Sequence, residues 1–245
     1  MKAIVLAAGL GKRLAPVTGG LPKCLVPVAG RTILDRMIER LVQAGLDDII
    51  VVTGHRSEDV ERHLDRSSEP AARRAARVFN QRFSEWGNFY SLLVAEEMCG
   101  EDGFVKLDAD VIMDTQLLPA LLAARGPAAL AVDVRPGLGE EEMKARVDER
   151  GVVVELSKRI EPARALGESV GIDRIDAELA PRMWTELRRI IELGETDEYY
   201  ERAYELLMQK GVPFSYADVS MSEWCEVDNA DDLAAAEAML ARSPV

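Results

Sequence analysis

The 245-residue sequence predicts an α/β protein built on a doubly wound, mainly parallel sheet, with a small antiparallel portion inserted late in the chain. Three observations predict it. Runs that are apolar without alternation read as strands buried on both faces of a parallel sheet. Stretches with apolar residues at helical spacing separate those runs, and alternating strands and helices imply parallel crossovers. After about residue 135 the alternation gives way to two short strand candidates around Glu149-Arg150-Gly151, which reads as a hairpin turn.

The elements follow in order. Residues 3–8 (AIVLAA) form the first strand, and Gly9 and Gly11 follow at once. From Thr32 to Ala44, residues Ile33, Leu34, Met37, Ile38, Leu41 and Val42 make one helical face, and Gly45 ends the helix. On that helix Arg36 and Arg40 are expected on a solvated face. Asp48–Thr53 is a second strand, Glu58–Leu64 a short helix and Arg77–Asn80 a brief third strand. Residues 90–98 read as a helix. Phe104–Leu107 is a strand ending in Asp108-Ala109-Asp110, followed by a helix at Leu117–Ala124 and a strand at Ala128–Val134. Lys144–Val147 and Val152–Ser157 form the hairpin, and Val170–Ile175 is a further strand. Helices at about 177–193 and 197–210 break at Gly194. A strand-like Val212–Val219 and a terminal helix at Asp231–Ala241 complete the chain. Ser67–Arg74 and Gly137–Glu142 are expected to be mobile loops.

A net charge of −13 argues against broad binding to nucleic acid or to an anionic membrane. No apolar run approaches the roughly 20 residues of a membrane helix. The start of the chain lacks the pattern of a secretion signal. Three widely spaced cysteines, Cys24, Cys99 and Cys225, suit neither a disulfide framework nor a zinc ribbon. A reducing cytoplasm is therefore the expected setting. Residues 1–40 depart from the acidic balance, with seven cations against two anions. A local positive field in an acidic protein suits a small polyanionic ligand better than a polymer.

Gly9 and Gly11 let backbone N–H groups approach a polyphosphate, since no Cβ stands in the way. Lys12, Arg13 and Lys23 are placed to neutralise its charge. The loop fits neither GxGxxG nor GxxxxGK[ST], and a tight turn with solvated cations is the plain alternative. Asp108 and Asp110 fall at the carboxyl end of a strand, where open α/β sheets bind ligands. Near a triphosphate they are expected to hold Mg²⁺; otherwise they cap the next helix. His55 and His63 flank a short surface helix and are expected to be structural or solvated.

The full string LAAGLGKRLAPVTGGLPKCLVPVAG over 6–30 resembles the signature of the nucleotidyltransferases that make nucleotide sugars and CDP-alcohols. The likeness is to the bacterial phosphocholine cytidylyltransferase-like enzymes. It implies a single Rossmann-like domain over 1–245, with a nucleotide-binding core at 1–135, an acceptor-binding portion at about 136–220 and a return to the core at 221–245. Leu6, Ala8, Gly9, Gly11 and Lys12 would then wrap the nucleotide, Arg13 would meet its β- and γ-phosphates, and Lys23 the reacting phosphates. Asp110 and Asp228 would hold Mg²⁺, with Asp108 on the nucleotide; N-capping of the last helix is the alternative for Asp228.

Glu85-Trp86-Gly87-Asn88-Phe89-Tyr90-Ser91-Leu92 looks like the segment beside the pyrimidine in the cytidylyltransferases, which implies CTP, with Gly87, Asn88 and Ser91 at the base. Lys158, Glu168, Glu223 and Trp224 match acceptor-binding positions. The second cage tryptophan of the phosphocholine enzymes has no counterpart near Met143-Lys144, so the implied acceptor is a small phospho- or phosphono-alcohol or amine. A homodimer is compatible with the likeness. A sugar-1-phosphate nucleotidylyltransferase and a non-catalytic nucleotide-sensing domain are the competing readings.

Overall fold

The first strand, β1 (Lys2–Ala7), lies between two parallel neighbours because nothing along it needs water: Ala3, Ile4 and Val5 are fully buried. The structure is a computed structural model that describes residues 1–242, without the side chains of Ala15 and Val17; residues 243–245, the end of the predicted return segment, lie outside the described residues. After β1 come a short helix α1 (Ala15–Thr18), a small ribbon of β2 (Pro27–Val28) and β3 (Arg31–Thr32), and the helix α2 (Ile33–Gln43), capped by the Thr32 hydroxyl. Strand β4 (Ile49–Thr53), helices α3 (Ser57–Arg66) and α4 (Pro70–Arg74), and strand β5 (Ala76–Phe79) follow. Next are α5 (Phe89–Val94), α6 (Glu96–Cys99), β6 (Phe104–Asp108), β7 (Val111–Met113), α7 (Leu117–Ala123) and β8 (Ala128–Asp133).

The hairpin β9 (Lys144–Val147) and β10 (Val153–Ser157), the long strand β11 (Gly167–Ile175), and helices α8 (Ala180–Glu192) and α9 (Glu201–Gln209) come next. Strands β12 (Ser215–Asp218) and β13 (Trp224–Glu226) and helix α10 (Ala230–Arg242) close the chain.

Nine strands make one sheet in the order β10-β9-β11-β6-β1-β4-β5, with β8 against β11 and β12 against β8. Strands β5, β4, β1 and β6 run parallel. β11 runs against β6 and β8, and β12 runs with β8, so β8 and β12 share the direction of β1. The period-2 alternation of β1 divides the core. Ala3, Val5 and Ala7 face Met37 and Leu41 of α2, whereas Ile4 and Leu6 face Phe89 and Leu92 of α5 and the α8–α9 layer. A third cluster of Leu14, Val26, Ile33, Ile112, Val227 and Ala236 fastens α10 to the side of the glycine loop. Among the described residues no helix is long and apolar enough to cross a membrane.

The structure corrects four expectations. Arg36 and Arg40 are buried rather than solvated. Arg36 donates to the carbonyls of Val28 at 2.8 Å and Ala29 at 3.3 Å, and Arg40 donates to that of Met113 at 3.3 Å. A guanidinium with five donors ties down loop carbonyls that a helix cannot satisfy. Pro70–Arg74 is a helical turn, because Pro70 stands at its start, the Glu69 carboxylate accepts from Ala71 N, and Ala71 and Ala72 are buried. The predicted 90–98 helix breaks at Ala95 into α5 and α6. His63 lies within α3 rather than beside it, 2.8 Å from Asp35.

Candidate active site

The pairing of β7 with β13 brings together carboxylates that are more than 100 residues apart. Val111 pairs with Glu226, and Val227 N donates to Asp110 O at 3.0 Å, so Asp110 lies beside Glu226 and Asp228. One carboxylate oxygen from each of the three lies within 4.8 Å of the others. The glycine loop and the segment after it supply cations. Lys23 Nζ donates to Asp110 Oδ2 at 2.6 Å and also to Asp228 Oδ1, while Arg13 pairs with Asp228 Oδ2 at 2.6 Å. Burial works against the Lys23 ammonium, but Asp110 and Asp228 outweigh it and raise its pKa.

The capping alternatives are excluded by the bonds themselves. Helix α10 is capped by Asn229, whose side chain accepts from Asp231 N and Asp232 N, while Asp232 accepts in return from Asn229 N and Asp228 N. Helix α7 is capped by Asp114. Asp110 and Asp228 therefore keep their side chains for the site. Asp110 Oδ1 is buried and finds no hydrogen-bond partner among the described residues. An orphaned oxygen among hard oxygen donors fits a divalent cation such as Mg²⁺.

The sequence reading missed Glu226. Its signal was the Glu-Val-Asp spacing, which puts Glu226 and Asp228 on one face of an extended chain. The Glu226 carboxyl is pushed up to about 8 by burial and by Asp110 and Asp228. Because the residue as a whole is exposed, repulsion from the two carboxylates is the better-founded cause.

Beside this cluster a cavity of about 300 Å³ opens at the carboxyl ends of β1 and β6. Its walls include Leu6, Ala8, Gly9, Asn88, Ser91 and Asp108. Gly11, Lys12, Arg13 and Lys23 line an adjoining cleft with Asp110 and Asp228. Gly87 is not part of either wall. A Cβ there would stand 1.8 Å from Glu198 O, so the missing side chain makes room for the approach to α9 rather than for a base. Asn88 works on the same junction: its Oδ1 accepts from Tyr200 N at 3.0 Å. Ser91 Oγ accepts from Asn80 Nδ2 at 2.9 Å.

Below the cavity floor lies a buried polar network. Lys106, fully buried, meets Asp173 at 2.9 Å, the Gly171 carbonyl at 2.9 Å and Asp108 at 3.4 Å, with the Tyr200 ring centroid 3.6 Å away. Burial alone would lower the Lys106 pKa; Asp108 and Asp173 raise it above its ordinary value. The Tyr200 hydroxyl donates to Asp108 Oδ2 at 2.6 Å and that of Tyr204 to Asp173 at 3.0 Å. Only glycine fits at 171, where φ is +75° and a Cβ would stand 2.5 Å from Asp108 Oδ2. Burial pushes Asp108 up to about 6, against the pull of Lys106.

Burial likewise pushes Glu201 up from 4.5 to about 8, with Lys106 opposing the rise. A carboxyl whose folded pKa is raised stabilises the fold while protonated. That contribution is full below the unfolded value and is lost as pH climbs through the folded one. The native chain is therefore expected to lose stability between about pH 5 and 9, and Glu201→Gln to flatten that fall. Urea denaturation across that range measures it, and parallel curves for the two proteins would refute it.

The acceptor candidates surround a wider cavity of about 780 Å³ that shares Arg13, Asp110, Glu226 and Asp228 with the carboxylate cluster. Lys158, partly exposed, lies 3.8 Å from Glu141. Glu168 pairs with Arg135, and burial raises its pKa against the pull of that arginine. Glu223 N donates to Asp114, and the Trp224 indole N–H donates to Asp133 Oδ2 at 3.3 Å.

Comparison with known proteins bears on the fold and the family. The model of the MobA-like NTP transferase domain matches residues 3–180. CMP-5'-(3-aminopropyl)phosphonate synthase of Streptomyces rubellomurinus is 32% identical over 241 residues, covering 95% of this chain and 37% of that one. Choline-phosphate cytidylyltransferase of Streptococcus pneumoniae is 42% identical over 111 residues, covering 45% of this chain and 44% of that one. The chain thus spans less than half the length of these curated relatives. The solved structure of CTP:phosphocholine cytidylyltransferase from Streptococcus pneumoniae shares the fold, with a TM-score of 0.79 at 23% identity over 98% of each chain. With its sheet, its glycine loop and the match over 3–180, the chain belongs to the family of MobA-like NTP transferase domains.

Proposed function

We propose that this protein is a cytidylyltransferase that joins CTP to a small phospho- or phosphono-alcohol or amine. The observation that carries the reading is the contact of Lys23 and Arg13, from the glycine loop, with Asp110 and Asp228, from the far end of the chain. Donor-side cations and metal-type carboxylates meet at one point, beside the cavity that Ala8, Gly9 and Asp108 line.

In this reaction an acceptor phosphate or phosphonate oxygen attacks the α-phosphorus of CTP. The bond to the β-phosphate bridging oxygen breaks, and pyrophosphate leaves with the electron pair. Catalysis needs no protein nucleophile; it comes from positioning and charge neutralisation. Lys23 neutralises charge on the reacting phosphates. Arg13, whose side chain is largely exposed, is free to swing onto the leaving pyrophosphate. Asp110 and Asp228, joined by Glu226, would hold Mg²⁺, which when bound supplies charge neutralisation on the phosphates. Leu6, Ala8 and Gly9 would line the nucleotide, with Asn88 and Ser91 offering polar groups toward the base. The aminopropylphosphonate and choline-phosphate names of the relatives support both the cytidylyl donor and the class of acceptor.

Equilibrium binding with Mg²⁺ tests the nucleotide. CTP is expected to bind tighter than UTP, dTTP, ATP and GTP by about tenfold or more. In Asp110→Asn, pyrophosphate release is expected to disappear while the far-ultraviolet circular dichroism stays unchanged. Equal affinity for all five nucleotides would remove the cytidine assignment, and undiminished turnover in Asp110→Asn would remove that residue from the metal site.

A further inference from the structure

Strand β4 ends beside β1, with Thr53 opposite Ala7 in the parallel register. The turn that follows it, Gly54-His55-Arg56, therefore runs against the start of the glycine loop. Only glycine fits at 54, where a Cβ would stand 2.7 Å from Ala8 O and 2.6 Å from Phe83 Cβ. His55 N donates to Ala8 O at 3.2 Å. Arg56 then takes a left-handed conformation, with φ 49° and ψ 45°. Among the described residues, Ala29 is the other non-glycine with positive φ. That conformation is costly for a residue with a Cβ and persists only where its surroundings hold it.

The contacts of the Arg56 guanidinium supply the hold. Its Nη1 donates to Gly20 O at 3.0 Å, and its Nε pairs with Asp59 Oδ2 at 2.5 Å. Asp59 is fixed in turn by Arg62 at 2.8 Å. The turn after β4 thus grips the glycine loop at both ends, at Ala8 through a backbone N–H and at Gly20 through a side chain. Lys12 and Arg13 lie between those grips, and Lys23 follows three residues after the second. Leu14, 1% exposed, anchors the middle of the stretch in the core. The exit has no such anchor. Gly19 and Gly20 both have positive φ, 65° and 78°, and no side chain to pack. The backbone bond across that turn, from Leu21 N to Thr18 O, is long at 3.5 Å. Arg56 does not itself line the cleft of Gly11, Lys12, Arg13 and Lys23; it reaches that cleft through the loop.

We propose that Arg56 is a positioning residue for the nucleotide. It holds the Gly19-Gly20 exit of the glycine loop, so that Lys12, Arg13 and Lys23 stand as a preformed set of cations for a triphosphate. This rests on the cytidylyltransferase reading, in which those cations meet CTP. Without the grip, ordering the loop is subtracted from the binding free energy. The loss falls on affinity for the triphosphate and not on the step that follows. Lysine cannot replace the arginine, because a single ammonium lacks the planar fork that meets Asp59 and Gly20 at once.

Arg56→Gly separates positioning from folding. The melting temperature should stay close to native, since glycine takes the left-handed backbone without strain and offsets the lost contacts. Affinity for CTP with Mg²⁺, titrated calorimetrically into the full chain, should fall about five- to tenfold, the worth of one hydrogen bond. In the pyrophosphate assay the same loss should appear in KM for CTP, with kcat within about twofold of native. Arg56→Lys should lose as much affinity as Arg56→Gly. Trypsin reads the loop without any nucleotide: cleavage after Lys12 and Arg13 should be faster in both variants than in the native protein. A lower melting temperature with native affinity and native cleavage would make Arg56 a structural residue of α3 and overturn the proposal. Full affinity in Arg56→Lys would also overturn it, by making the effect one of charge. If the native protein binds another triphosphate as tightly as CTP and Arg56→Gly weakens both, the positioning role stands and the cytidine assignment falls.

Discussion

Replacing Lys23 with methionine is expected to lower pyrophosphate release about 10²–10³-fold, the effect of losing one preorganised charge-stabilising group. The same change should make the fold lean on divalent cations. Lys23 is the ammonium shared by Asp110 and Asp228. Without it, Asp110, Glu226 and Asp228 face one another with ligand oxygens within 4.8 Å, and among the described residues Arg13 is the cation left in ion-pair contact with them. Their repulsion lowers stability in chelator and raises the affinity of the cluster for Mg²⁺, so the gain in melting temperature on adding Mg²⁺ should exceed that of the native protein. Thermal melts with and without Mg²⁺, beside a pyrophosphate assay, measure both effects. A native rate and an unchanged Mg²⁺ dependence would show that Lys23 is a surface cation without a role in the site.

The largest loss of stability is expected from Lys106→Met. Its ammonium is fully buried and holds Asp173, itself 1% exposed, at 2.9 Å. Removing one partner leaves the other as an uncompensated buried charge, at a cost of about 3–5 kcal/mol. Adding Asp173→Asn should recover much of that loss, because the leftover charge goes with it while Tyr204 keeps an oxygen to donate to. Urea denaturation at neutral pH gives the numbers. A loss below about 1 kcal/mol in the single variant would mean that water reaches the pair. Because Asp108 also meets Lys106 and Tyr200, the variant tests whether this network holds the cavity wall in place.

The sheet was legible in the sequence because burial on both faces leaves a local mark. The apolar runs at 3–8, 48–53, 104–107 and 128–134 are strands β1, β4, β6 and β8. The hairpin of β9 and β10 was legible through its turn. What lies outside local patterning was not. Lys106 and Asp173 are directly opposed across β6 and β11, a register that no short window reveals. Arg36 and Arg40 read as surface cations because burial of a guanidinium depends on carbonyls contributed by distant loops. Gly87 looked like a base-approach glycine, but its constraint is the Glu198 backbone, which arrives with α9.

In the site, the sequence named Arg13, Lys23, Asp110 and Asp228, and the structure brings those four together. Glu226 escaped because its place in the cluster depends on the pairing of β13 with β7.

The most direct measurement is pyrophosphate release from CTP and Mg²⁺ with a panel of acceptors: 2-aminoethylphosphonate, phosphoethanolamine, phosphocholine, glycerol phosphate, inositol-1-phosphate and glucose-1-phosphate. The predicted result is acceptor-dependent release, fastest with an aminoalkyl phosphonate or phosphate and lost in Asp110→Asn. Release with none of them, or with glucose-1-phosphate alone, would contradict the cytidylyltransferase reading.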